Sequence, residues 1–158
     1  MKETLNAKHL SGNNNTQLFG CLSKSRLIIA AHQQITHEWW RTAGDRFNLY
    51  ISEAVLAEIR SGDSDAVSRR LEIVSELQIL ELNNDVRFLA QHYEKELGLS
   101  GRAKADIPHF AFAVSYKMDY LVTWNCNHIV NGEIIRRLLY VNSKIGRFTP
   151  LILTPEEI

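Results

Sequence analysis

Residues 103–128 read AKADIPHFAFAVSYKMDYLVTWNCNH, and the fold turns on how they are read. An acid, Asp106, stands at a helix start, and Pro108 follows in the first turn, where a missing N–H costs nothing. The spacing predicts a helix over 105–117 with Ile107, Phe110, Ala111 and Val114 facing one way. A short apolar strand is predicted over 120–123, and Asn125 stands where it stops. Open α/β sheets gather their chemistry at the carboxyl ends of strands. The stretch therefore reads as one half of such a site: an acid on a helix and an amide at a strand end.

The same alternation continues on both sides. Leu27, Ile28, Ala31, Ile35 and Trp39 recur at helical spacing and predict a helix over 25–43. Residues 46–51, RFNLYI, read as a strand, and Ser52 is a natural N-cap for a helix whose apolar stripe is Val55, Leu56 and Ile59. Helices are expected over 65–76 and 85–97, the latter closed by Gly98, with a strand over 78–82 between them. Beyond the central stretch, a helix over 133–145 is stopped by Gly146, and a last strand covers 151–153. Strands alternating with helices argue for an α/β fold with a parallel sheet and helices on both faces. Residues 1–24 break the pattern: SGNNNTQ at 11–17 is a run of turn formers. They are expected to form a poorly ordered or atypical segment ahead of one domain over 25–158.

Composition narrows the function. Lys+Arg and Asp+Glu both number 18, so the zero net charge lacks the bulk basic signature of a strong nucleic-acid binder. A local basic patch beside an acidic pocket remains compatible with it. The two cysteines, Cys21 and Cys126, form no C-x-x-C, which argues against a zinc ribbon or a disulfide framework. No apolar run approaches membrane-spanning length, and a reduced, cytoplasmic setting is expected.

Few residues are candidates for chemistry, and each has a structural alternative. Glu58 sits at the edge of its helix stripe, where it can look along the sheet's carboxyl edge or simply flank the surface. Asp106 can be a ligand or a helix N-terminal acid held by capping and the dipole. Asn125 can be a site amide or a turn former. Arg102 and Lys104 could meet phosphate oxygens or stay solvated. Asp119 belongs to a turn, and Glu133 to a helix start. Cys126 with His128, and His32 with His37, have no usual metal-site spacing.

Three segments together resemble a known family: 50–59, running from Tyr50-Ile51-Ser52 to Glu58-Ile59; 105–114, with Ala105-Asp106-Ile107-Pro108-His109; and 118–125, MDYLVTWN. The chain from about residue 25 onward resembles the PIN domain, specifically the nuclease toxins of VapC-type toxin–antitoxin systems. The resemblance implies a three-layer α/β/α sandwich with a parallel central sheet. It implies metal-dependent phosphodiester cleavage of an RNA substrate, with a cognate antitoxin protein as partner, no membrane association, and a homodimer as a further option. Glu58, Asp106 and Asn125 carry over as the active-site positions, with Glu58 and Asp106 as ligands of Mg2+ or Mn2+. Those hard cations favour oxygen donors, and carboxylates converging at one sheet edge repel unless a dication lies between them. PIN domains open with an apolar strand ending in an acid followed by Thr or Ser. Here Lys2-Glu3-Thr4-Leu5-Asn6 stand instead, so the first strand and its acid are expected to be lost or altered. The alternatives are a catalytically weakened PIN module that binds RNA or a protein without cleavage, and a plain α/β ligand-binding domain.

Overall fold

The computed structural model describes residues 2–5, 24–61, 64–126 and 128–158. In chain order the elements are β1 (Lys2–Leu5), α1 (Lys24–Arg46), β2 (Asn48–Ser52), α2 (Glu53–Ile59), α3 (Ser64–Val74), β3 (Gln78–Leu80) and α4 (Asn84–Glu96). A 3-10 segment, Gly101–Asp106, leads into α5 (Ile107–Ser115), followed by β4 (Tyr120–Val122), α6 (Gly132–Lys144) and β5 (Leu151–Leu153).

The five strands form one sheet in the order β3-β2-β1-β4-β5, and every pairing is parallel. Of the expectation that the first strand is lost or altered, loss is corrected: a first strand is present. Lys2–Leu5 is the middle strand, with Leu5 opposite Ile51 on one side and Val122 on the other. A strand of KETL composition carries little β-propensity of its own; ladders on both sides supply what propensity does not. The other expectations for the N-terminal segment, the SGNNNTQ run and the stretch over 18–22, lie outside the described residues.

Side-chain alternation assigns the strands to separate packing clusters. Tyr50, Leu80, Leu121 and Ile152 pack with residues of α4, α5 and α6, among them Leu89, Phe110 and Leu138. Leu49, Tyr120 and Val122 pack instead with Trp39 and Ala43 of α1 and with Phe47. Ile51 joins Val55, Leu56, Ile59 and Val74 from α2 and α3. The expected cap and stripe of α2 are present: the Ser52 hydroxyl accepts from the Val55 amide at 3.3 Å, and Val55, Leu56 and Ile59 are buried.

The central helix departs from its expected one-sided stripe. Besides Ile107, Phe110, Ala111 and Val114, its His109, Phe112 and Ala113 are also buried. A helix apolar all round is an interior helix, and α5 lies against α4, α2 and β4. It ends in a Schellman turn: the Met118 amide donates to the Ala113 carbonyl and the Lys117 amide to that of Val114. Lys117 occupies the left-handed position at φ 52°, which favours glycine. A polar network ties the outer helices together. The Tyr93 hydroxyl donates to Asn142 Oδ1 at 2.6 Å, and Asn142 Nδ2 donates to Thr149 Oγ1 at 2.8 Å. Arg147 pairs with Asp85, which also accepts from the Ser115 hydroxyl. Burial pushes the Tyr93 phenol well above its usual pKa, which keeps it a donor.

Two stability outcomes follow from this packing. Lys117→Gly relieves the left-handed turn and is expected to raise stability by about 1 kcal/mol, read as a higher urea midpoint at unchanged slope. Tyr93→Phe strips the buried Asn142 oxygen of its donor and is expected to cost about 1–3 kcal/mol in the same titration.

Candidate active site

The strand order has one switch point. From β1 the chain moves outward through β2 to β3 on one side, and β4 and β5 lie on the other. In open α/β sheets the crevice for a ligand lies outside the carboxyl ends of the strands at such a switch, here between β1 and β4. Three elements deliver residues to that edge. β2 runs directly into α2, with Ser52 fully buried at the junction. β4 leaves the edge through Thr123, Trp124 and Asn125. The helix that feeds a parallel strand runs antiparallel to it, so the start of α5 lies at the carboxyl edge too.

Asp106 is fully buried at that helix start. It occupies the N-cap position of α5, yet its side chain makes no capping bond. The capping alternative is therefore not the one realised. Glu58 is not a plain surface flank: its side chain is 28% exposed, and Oε1 lies 3.1 Å from His109 Nε2 on α5. His109 stands three residues after Asp106. Residues at that spacing share a helix face, with Cβ atoms about 5–6 Å apart. Glu58 thus meets α5 one turn from Asp106. Glu58 Oε2 and Asp106 Oδ2 are both shut off from solvent.

Asn125 lies at the same sheet edge, and its backbone is committed to a turn. Its amide donates to Thr123 Oγ1 at 3.0 Å, and its carbonyl accepts from the amides of Ile129 and Val130. The turn-former alternative therefore holds for its main chain, while the side chain is half-buried. The turn is held from α1. Trp124 donates from Nε1 to Thr36 Oγ1 at 2.7 Å, and its ring stacks on His32 with centroids 3.9 Å apart. His32 is thus a stacking partner, as its spacing from His37 allowed.

The remaining candidates have structural occupations. Lys104 pairs with Glu94 at 3.6 Å across half-exposed side chains, and Arg102 is exposed. Glu133 binds Arg136 and Arg137, whose guanidinium groups hold its carboxyl down at about 2. Sequence reading did not single out His109 or Thr36, which contact Glu58 and Trp124 respectively. His109 sits inside an apolar run, IPHFAFAV, and that lone interruption is the signal available for it. A cleft of about 410 Å3 opens between α2, α4 and α5, lined by Glu53, Arg87, Pro108 and Phe112 among others. None of Glu58, Asp106 and Asn125 lines it.

The donor chemistry fits a hard dication. Two carboxylates and an amide offer oxygen alone, and magnesium is commonly held by one or two carboxylates while it keeps several waters. Among the described residues, no group of three or more His, Cys, Asp or Glu is gathered as a metal centre. No helix among them is long and apolar enough to cross a membrane.

No protein-family model matches the chain, and no curated protein is similar to it at a significant level. Among solved structures, a chain from the crystal structure of VapBC2 from Rickettsia felis bound to a DNA fragment from their promoter is similar. The two share 19% identity and a TM-score of 0.56, and the match covers 97% of each chain. A likeness at that identity speaks to the fold, and it extends over the whole α/β architecture described above.

The clamp on the β4 exit can be tested directly. Trp124→Phe keeps an aromatic ring beside His32 but deletes the donor to Thr36. It is expected to cost about 1 kcal/mol in urea unfolding and to shift the backbone amide resonances of the 125–130 turn.

Proposed function

We propose that the chain is a PIN-like, metal-dependent ribonuclease of the toxin type, with Glu58 and Asp106 as ligands of Mg2+ or Mn2+ and Asn125 as the third active-site position. The observation that carries this reading is the junction of α2 and α5, where Glu58 reaches the helix face that begins with buried Asp106. Support also comes from the parallel order β3-β2-β1-β4-β5, with its switch point beside these elements. On this reading the clusters formed by alternate strand residues belong to the two outer layers of an α/β/α sandwich.

Bound between the two acids, such a cation would polarise a phosphodiester and lower the pKa of a water it holds. The protein's own part is to bind and to orient. Two carboxylates from separate helices supply the negative charge that concentrates a dication at the sheet edge. Asn125, being neutral, adds an acceptor and a donor without further repulsion, so it can hold a water or a substrate hydroxyl. Burial of Asp106 lowers the local dielectric and strengthens each of these interactions. A small antitoxin protein is proposed as the partner, because the similar chain comes from a VapBC2 complex; a homodimer and a cytoplasmic setting belong to the same reading.

The second reading is a PIN-like module that binds RNA or a protein without cutting. Asn125 favours it, since an amide stands at the strand end where an acid would add charge. Incubation of structured RNA with Mn2+, with and without chelator, separates the two. Chelator-sensitive cutting is expected, falling by roughly 100-fold or more in Glu58→Gln and in Asp106→Asn, the scale on which loss of a charge-stabilising group acts. RNA retained but uncut would favour the binding module.

A further inference from the structure

We propose that His109 is the positioning residue for the Glu58 carboxylate, fixing it against α5 in the orientation from which it acts with Asp106; this rests on the reading of those two acids as a metal pair. The imidazole is 1% exposed, inside a helix whose other side chains from Ile107 to Val114 are almost all apolar and buried. Packing on every side leaves the ring no alternative orientation. Its Nε2 meets Glu58 Oε1 at 3.1 Å. A carboxylate oxygen accepts, so Nε2 is the donor in this contact and Nδ1 is left outside it. That Nδ1 is buried and has no hydrogen-bond partner among the described residues. A histidine buried on these terms is a poor device for stability, because half of its polar capacity goes unused. The half that is used holds one oxygen of one carboxylate.

Glu58 needs such a hold. It sits next to the last residue of a seven-residue helix, on a side chain with several rotatable bonds. Anchored through Oε1, its carboxylate stays one turn from Asp106. Partners that orient a ligating group govern affinity although they never touch the ion.

Manganese binding followed by electron paramagnetic resonance, with Mn2+ alone and no RNA, tests the proposal on the whole chain. His109→Leu is expected to weaken Mn2+ binding by roughly 10–100-fold. His109→Gln, whose amide nitrogen can replace Nε2 as donor, is expected to stay close to wild type. The 13C shift of the Glu58 carboxyl without metal is expected to move in the leucine variant and not in the glutamine variant. If the leucine variant does not fold, His109→Asn, whose shorter amide falls short of Glu58, takes its place with the same expectation. Mn2+ binding lost in Asp106→Asn but unchanged in His109→Leu would overturn the positioning role and leave the nuclease reading standing. Equal losses in the glutamine and leucine variants would also overturn it, since ring shape rather than the bond would then matter. No Mn2+ binding by the wild type would overturn the nuclease reading, and the positioning role with it.

Discussion

A helix that has given up its solvent face organises this molecule. α5 is buried from Ile107 to Val114 with only Pro108 partly exposed. Its neighbours α4, α2 and β4 are arranged so that each covers part of it. In return the helix offers two polar side chains, Asp106 and His109, both buried. Burying polar groups in an interior helix is costly unless they are engaged. Glu58, reaching across from α2, engages one of them. The contact that closes α2 onto α5 is therefore also the contact that defines the candidate site.

Much of this architecture was legible in the sequence, for identifiable reasons. The Ser52 cap, the Val55/Leu56/Ile59 stripe and the β5 strand at 151–153 rest on local rules of capping and periodicity, and they hold. What escaped was decided by tertiary context. β1 has four residues and no apolar alternation, so it shows itself as a strand only between β2 and β4. The full burial of α5 could not be separated from a one-sided stripe, because the run IPHFAFAV is apolar enough for either. The 3-10 segment over Gly101–Asp106 was not foreseen: the helix expected from 105 begins at Ile107, and the tighter turn before it sets Asp106 at the start of α5.

For the candidate site, the sequence offered residues but not their connections. Glu58, Asp106 and Asn125 were picked out on residue type and position relative to strands, and the topology brings all three to one sheet edge. Their connections were not readable. His109 speaks to Glu58 across 51 positions of sequence, and Trp124 to Thr36 across 88. Pairings that distant leave no periodic trace in one sequence. They also give Asn125 its context: a turn tied at its start, by Thr123 within the strand exit and by α1 through the indole.

The seam between β1 and β4 has a consequence for how the chain reaches this state. Leu5 pairs with Val122, whereas β4 and β5 are joined by a single helical crossover. Closing a long loop costs more entropy than closing a short one, and distant pairings slow folding. The two halves of the sheet can each assemble from nearer partners, but the crevice between them exists only once its most distant ladder zips. The candidate edge is therefore among the last parts of the protein to come into being, since it waits on the pairing of β1 with β4.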